Sequence, residues 1–168
     1  MRALVVYESL FGNTAQVAQA IADGLSRHGE VQMFEVTKAP PEISQPVDLI
    51  VVGGPTHTFS MTRASTREDA FKQGAFQGSE AIGVREWLGQ LRRGQHHELV
   101  ATFDTKEDRV RQLPGSAARG AANAAHRLGY KTVAKPMSFY VQGVSGPLLE
   151  GELGRALAWG ERLGMAGR

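Results

Sequence analysis

Residues 3–14 are Ala-Leu-Val-Val-Tyr-Glu-Ser-Leu-Phe-Gly-Asn-Thr. The first five, Ala3–Tyr7, form a continuously apolar run, which is typical of a strand buried on both faces of a parallel sheet. The polar turn Glu8–Thr14 follows, and from Ala15 onward apolar residues recur at helical spacing. A buried strand, a hydroxyl-bearing turn and an amphipathic helix in this order predict a βα unit, with the turn at the carboxyl end of the strand.

The same alternation continues along the chain. Further strands are predicted at Val31–Val36, Leu49–Val52, Leu99–Phe103 and Lys131–Ala134, the last resuming at Ser138–Val141. Further helices are predicted around Val84–Leu91, from the cap Ser116 to Leu128, and from Leu149 to Leu163, with Arg67–Gly78 ambiguous and the first helix ended by Gly29. Thr56–Thr66 and Asp104–Gly115 are expected to be polar loops. The pattern predicts an α/β fold, with helices on both faces of a parallel sheet.

Composition limits the possible classes of protein. The 168 residues predict a single domain over residues 1–168, and 42% hydrophobic with 21% charged residues is ordinary for a folded domain. No apolar run approaches the roughly 20 residues of a membrane span. The short apolar start does not resemble a secretory signal, so the expected location is the cytoplasm. Cysteine is absent, which excludes disulfide and dithiol chemistry.

Other partners and rival classes are not supported by the sequence. The net charge is +2 with interspersed charges, so no nucleic-acid partner is expected. His96-His97 lacks metal-ligand spacing, and no metal site is expected. A phospho-receiver domain needs an Asp where the third strand ends at Val52-Gly53, and a serine hydrolase needs a Gly-x-Ser-x-Gly elbow that does not occur.

In an open parallel sheet, ligands bind beyond the carboxyl ends of the strands. Here these ends are loop one (Glu8–Thr14), loop two (Gly53–Thr66) and loop three (Phe103–Gly115). Loop one carries hydroxyl and amide groups ahead of a helix start, which suits a phosphate. It lacks the three spaced glycines of dinucleotide sites and the Gly-Lys pair of a P-loop, so a mononucleotide monophosphate fits it better. The alternative is an ordinary helix cap supplied by Asn13 or Thr14.

Ser9-x-Phe11-Gly12-Asn13-Thr14, directly after a buried strand, resembles the phosphate loop of the flavodoxins, which are FMN proteins. The resemblance implies a flavodoxin-like three-layer sandwich with a five-stranded parallel sheet in the order 2-1-3-4-5. Ser9 and Thr14 match the outer hydroxyls of that loop, and Phe11 replaces the middle one. An aromatic residue at this position also resembles FMN-dependent quinone reductases of related fold.

The resemblance extends to the other two loops. Pro55-Thr56 in loop two would shape the wall beside the flavin ring, with His57 or Phe59 against the ring. Loop three has no Tyr between Phe103 and Gly115, so the outer face of the ring would be covered by Leu113 or open to a substrate. The cofactor-binding residues implied are Ser9, Leu10, Phe11, Gly12, Asn13, Thr14, Pro55, Thr56, His57, Thr58, Phe59, Phe103 and Asp104. No catalytic residue is assigned.

Three functions follow from the resemblance. The first is electron transfer through bound FMN to a redox partner protein. The second is an FMN-dependent NAD(P)H:quinone-type oxidoreductase, with a small-molecule electron acceptor stacked on the flavin. The third is a partner-binding module that has lost FMN. The net charge of +2 departs from the acidic surfaces typical of electron-carrier flavodoxins.

Overall fold

The computed structural model describes residues 1–167. Its strands are β1 (Arg2–Tyr7), β2 (Glu30–Glu35), β3 (Leu49–His57), β4 (Ser60–Met61), β5 (Leu99–Glu107), β6 (Lys131–Thr132) and β7 (Met137–Val141). Its helices are α1 (Asn13–Ser26), α2 (Ala64–Lys72), α3 (Val84–Gln90), α4 (Ala117–Arg127) and α5 (Glu152–Ala166). Short 3-10 turns occupy Val36–Lys38 and Asp108–Val110.

The sheet has the order β2-β1-β3-β5-β6, and all of these strands are parallel. β4 is a short antiparallel partner of β3, and β7 pairs with β5 beyond β6. β6 and β7 together take the place of the fifth predicted strand. The predicted order 2-1-3-4-5 is therefore confirmed, and the flavodoxin-like α/β architecture with it.

Two hydrophobic cores lie on opposite faces of the sheet, because successive residues of a strand point to opposite faces. Val5 of β1 packs with α1, α5 and Trp159, whereas Leu4 and Val6 pack with α3, α4 and Trp87. Both tryptophans are almost fully buried. The three layers hold the carboxyl ends of β1, β3 and β5 at one edge of the sheet.

Some predicted boundaries are wrong. The expected loops at Thr56–Thr66 and Asp104–Gly115 begin as strand, because the β3–β5 ladder continues through the pairs Gly54–Asp104 and Pro55–Thr105. Polar residues at the end of a buried sheet still join its ladder, and composition alone misassigns them to a loop. Loop two also contains β4 and the start of α2.

Helix ends differ from the predictions as well. α1 begins at Asn13 and ends at Ser26, capped by Arg27, before the expected stop at Gly29. The last helix begins at Glu152 instead of Leu149. No helix within the described chain has both the length and the apolarity needed to cross a membrane.

α1 and α5 approach each other closely through two glycines. A β-carbon on Gly24 would collide with the carbonyl oxygen of Leu157, and one on Gly160 would collide with the carbonyl oxygen of Ile21. Both obstacles are backbone atoms, so they cannot be relieved by a change of rotamer. The glycines therefore set the distance between the two helices that cover this face of the sheet.

Gly160→Ala is expected to lower the free energy of unfolding by about 1–3 kcal/mol, because the added methyl overpacks the contact between the helices. Gly154→Ala is the matched control, since Gly154 lies in the same helix with no atom within 4 Å of the added methyl. This control is expected to stabilise the protein by about 0.4–1 kcal/mol. Urea unfolding measures both changes, and equal effects of the two substitutions would contradict the close contact.

Candidate functional site

Loop one is organised around the buried hydroxyl of Ser9. Its Oγ accepts hydrogen bonds from the backbone N–H groups of Gly12 and Ala15, each at 3.2 Å. Gly12 precedes α1 with φ +90°, a conformation that favours glycine. Neither Asn13 nor Thr14 caps the helix as expected, because both residues already lie within it. The first-turn N–H groups of a helix lack intrahelical acceptors, so those of Asn13 and Thr14 remain directed at the turn.

Loops one and two meet in one cleft at the carboxyl edge of the sheet. The predicted residues that line it are Leu10, Phe11, Asn13, Thr14, Pro55, Thr56 and His57. An adjoining pocket against α2 is lined by Thr56, His57 and Thr58 among others. Residues that are distant in sequence are thus brought together as the resemblance implies.

The remaining predicted residues lie elsewhere. Ser9 and Gly12 do not line the cleft, but the hydrogen bond between them holds the conformation of loop one. Phe103 is fully buried in the core, edge-on to Phe139 and Trp159 at centroid distances of 6.4 Å.

Asp104 and Phe59 also lie away from the cleft lining. Asp104 is fully buried and accepts a 2.9 Å hydrogen bond from the backbone N–H of Ala118, at the start of α4. Phe59 is half exposed, and its carbonyl oxygen lies against Gly115 of loop three. Asp104 therefore holds α4 to the sheet, and the tip of loop two rests on loop three.

The tip of loop two has an unusual backbone. Thr58 and Phe59 have φ values of +50° and +62° and connect the paired residues His57 and Ser60. Two successive positive φ angles define the tight turn that matches the twist of a hairpin, and glycine or asparagine normally fills it. A β-branched threonine there is strained. The strained turn lies next to the cleft, where such strain is often associated with function.

Four residues of the cleft were not predicted: Thr105, Glu107, Val141 and Val144. Thr105 lies at the end of β5, and its hydroxyl is 2.7 Å from the hydroxyl of Thr14. The continuation of the β3–β5 ladder is the signal that could have found Thr105 and Glu107. Neither can be identified from a motif.

The segment Gly143–Pro147 covers one side of loop one. Gly146, with φ +99°, packs directly against the Asn13 side chain, and Val144 is half exposed at the cleft. In the sequence this stretch has a glycine-rich pattern with no assigned role. In the structure it forms a wall of the cleft.

A buried ionic network lies beneath the first two loops. Glu8, the residue after β1, is 1% exposed and accepts hydrogen bonds from the Thr62 hydroxyl at 2.6 Å and the Val84 backbone N–H at 2.8 Å. Arg67 of α2 is fully buried and donates to the same Thr62 hydroxyl at 3.0 Å. The network therefore links the start of loop one to the end of loop two.

Arg67 extends the network to α3. Its guanidinium donates to the carboxylate of Glu86 at 2.7 Å and to the carbonyl of Glu80 at 2.9 Å. Its Nη2 is buried without a hydrogen-bond partner among residues 1–167. Burying ionised groups is costly unless they are paired, so the pairing fixes α2, α3 and both loops relative to one another.

Burial shifts the pKa values of three groups at this edge. It raises the pKa of the Glu8 carboxyl, although the hydrogen bonds from Thr62 and Val84 and the charge of Arg67 oppose the shift. It also raises the pKa of the Asp104 carboxyl against the hydrogen bond from Ala118. Burial, reinforced by the Arg67 charge, lowers the pKa of His57. The imidazole of His57 is therefore neutral at the cleft near pH 7.

Comparisons with known proteins agree with this architecture. The family model of the flavodoxin domain matches residues 4–67, which include most of β1, loop one, β3 and loop two. No curated protein sequence matches the chain. A flavodoxin from the domain Archaea has a similar structure, with a TM-score of 0.66, 18% identity and 99% coverage of each chain.

Other solved structures with this fold come from bacteria. Oxidised Flavodoxin 1 from Bacillus cereus has a TM-score of 0.64, with 14% identity over 95% of each chain. A flavodoxin, WrbA-like protein from Agrobacterium tumefaciens has a TM-score of 0.61, with 15% identity over 99% of this chain and 97% of that one. The chain therefore has the flavodoxin-like fold, and the part of it that matches the flavodoxin-domain model includes loops one and two.

The lowered pKa of His57 predicts how stability depends on pH. As the pH falls below about 6.5, the unfolded state binds a proton that folded His57 resists, so stability declines until the folded pKa is reached. Replacing His57 with Gln removes this contribution, and the exposed His97→Gln is the control for loss of a histidine. NMR titration of the imidazole measures the folded pKa directly. A midpoint at or above about 6.5 would contradict the burial argument.

Proposed function

We propose that the cleft between loops one and two binds FMN, and that the protein transfers electrons through this flavin. The observation that carries the proposal is the junction of two elements at one sheet edge. One is a helix start that follows a positive-φ glycine, and the other is the Pro55–His57 end of β3. The first suits a phosphate, and the second provides a wall for a flat ring.

The donor set of loop one fits a phosphate monoester. Gly12 has φ +90°, a conformation that other residues rarely adopt, and a β-carbon there would lie 3.3 Å from the Phe76 ring, so this turn before α1 favours glycine. The N–H groups of the first turn and the positive end of the α1 dipole favour negative charge. The hydroxyl of Thr14 and the amide of Asn13 add neutral donors.

The rest of the cleft fits a ring that is largely apolar with polar edges. Phe11, Pro55 and Val144 supply apolar surface, and His57 supplies a flat neutral ring. Glu107 lines the same space with a carboxylate. Five of the eleven lining residues are apolar and six are polar, and cofactor sites combine apolar surface with placed polar groups in this way.

When bound, FMN supplies the ability to accept and release one or two electrons. Loop one would hold the phosphate through the backbone N–H groups of Asn13 and Thr14, and the Ser9 hydroxyl, which accepts from the N–H groups of Gly12 and Ala15, would keep the turn in place. Pro55 and Thr56 would orient the ring against the end of β3, while Val144 and Phe11 would exclude water from its sides. His57 remains neutral, so it can donate or accept a hydrogen bond without adding charge.

One observation favours a second function, an FMN-dependent oxidoreductase that acts on a small electron acceptor. β5 continues as a strand to Glu107, and loop three brings no aromatic side chain to the cleft. A flavin held here would have one face without an aromatic cover. A small flat acceptor could stack on that face.

The decisive experiment is purification of the chain, measurement of its visible absorption and titration with FMN. We expect a yellow protein, or a colourless one that takes up FMN with one-to-one stoichiometry. A protein that takes up no FMN overturns both flavin functions and leaves a partner-binding module. If FMN is bound, reductive titration distinguishes the electron carrier from the oxidoreductase. Accumulation of a one-electron-reduced state supports a carrier, whereas direct two-electron reduction by NAD(P)H with quinone turnover supports the oxidoreductase.

Gly12→Val is expected to weaken FMN binding at least about tenfold, because the side chain blocks charge-assisted hydrogen bonds from the backbone to the phosphate. Gly151→Val is a closely matched control. Gly151 precedes α5 with φ +85° and ψ −10°, against +90° and −13° for Gly12, and its added β-carbon would meet no atom within 4 Å.

Both variants carry the same backbone strain, so fluorescence titration with FMN separates strain from loss of the phosphate site. Equal losses of affinity in the two variants, or none in either, would refute the placement of the phosphate in loop one.

A further inference from the structure

A second pocket lies on the other side of the β5 end, outside the proposed flavin cleft. It has a volume of about 470 Å³ and is formed by loop three, the start of α4 and the segment before β7. Four of its lining residues are cations: Lys106, Arg111, Arg119 and Lys135. Thr105 and Glu107, the strand neighbours of Lys106, line the flavin cleft, because alternate residues face opposite sides of the sheet.

Lys106 is the unusual member of this set. It is 5% exposed, and its ammonium donates to the carbonyl oxygens of Leu113 at 2.8 Å and Gly115 at 3.0 Å. Within the described chain it makes no ion pair. An ammonium has three donors, so one remains beyond these two bonds. A buried cation without a counter-ion is costly, and an anion in the pocket would offset that cost.

The other three cations surround the mouth of the pocket. Arg111 pairs with Asp108, and its guanidinium lies 4.0 Å from the centroid of the Tyr140 ring, which fixes its position. Arg119 and Lys135 are exposed, and neither forms an ion pair with any residue in the range 1–167. Asp108 pairs with Arg111 and Glu152 also interacts with the Arg111 charge, whereas Lys106, Arg119 and Lys135 have no carboxylate partner among residues 1–167, so the pocket stays positively charged.

The α4 helix end does not itself supply the site, because its donors are already used. The N–H of Ala117 donates to the Thr56 hydroxyl at 2.8 Å, that of Ala118 to Asp104 at 2.9 Å, and that of Arg119 to the Ser116 hydroxyl at 3.2 Å. Any anion held here is held by the side-chain cations.

We propose that this basic pocket binds the phosphomonoester group of a small phosphorylated nucleotide. A dianion matches the excess of positive charge, and arginine and lysine are the preferred partners of phosphate. Leu113, Pro114 and Pro136 add apolar surface beside the cations, which suits a base or sugar attached to the phosphate. The volume lies in the range of small-molecule sites.

The pocket and the flavin cleft can be occupied together. The end of β5 separates them, and Phe59 of loop two rests on Gly115 of loop three between them. A nucleotide held in the pocket would lie beside the side of the cleft that lacks an aromatic cover. The inference does not depend on FMN binding, because it rests on a separate set of residues.

Calorimetric titration of the full chain tests the proposal with four probes: 2′,5′-ADP, NADPH, NADH and inorganic phosphate. We expect 2′,5′-ADP and NADPH to bind more tightly than NADH, which lacks the phosphomonoester. The double substitution Arg119→Gln and Lys135→Gln should weaken binding of 2′,5′-ADP and of NADPH at least about tenfold, since two charge-assisted contacts are lost. The control is Arg127→Gln, which removes one positive charge from an exposed residue at the other end of α4. It should change the dissociation constants of these ligands by no more than about twofold.

Several results would overturn the proposal. No binding of any probe, or equal weakening by Arg127→Gln, rules out the pocket as a site. Binding of inorganic phosphate as tight as that of 2′,5′-ADP rejects the nucleotide and leaves a simple anion site. FMN affinity is measured in parallel, and it should be unchanged in the Arg119/Lys135 variant. A loss of FMN there would place the flavin phosphate in this pocket and overturn the proposal as well.

Discussion

The buried interaction of Glu8, Thr62 and Arg67 is the constraint on which the functional edge depends. Glu8 directly follows β1, Thr62 follows β4, and Arg67 belongs to α2, so one set of hydrogen bonds connects three separate segments. Since the charged groups are buried, breaking one contact would leave the others uncompensated. The two loops that line the cleft are therefore held in one relative arrangement, and a ligand does not need to order them.

Much of the fold could be predicted because its signals are local. The apolar run Ala3–Tyr7 and the helical spacing after Ala15 define a βα unit, and repetition of the pattern implies a parallel sheet. The turn after β1 could be singled out as a candidate phosphate loop because a few residues at a helix start determine its chemistry. The cleft residues of loops one and two could be predicted because both loops follow the carboxyl ends of neighbouring parallel strands.

Other features depend on tertiary contacts that no local pattern shows. β3 and β5 continue through polar residues because they pair with each other, so Thr105 and Glu107 face the cleft. Phe103 was expected near the ligand from its place at a strand end. It lies in the core instead, because Gly53 leaves room for its ring across the β3–β5 pair. The hairpin turn at Thr58 and Phe59 has no glycine to mark it, and only the paired strands reveal it.

The two pockets beside β5 offer different groups to a ligand. Loop one provides backbone donors and a helix end, whereas the second pocket provides side-chain cations around a buried lysine. The mild positive charge of the chain is partly concentrated there.

The most direct test of the account is to map FMN onto the backbone amides by two-dimensional ¹⁵N NMR. We expect the largest shifts at residues 10–15, with further shifts at residues 55–58 and at Glu107 and Val144. Shifts concentrated instead around Arg111–Arg119 and Lys135, or spread evenly over the chain, would contradict it.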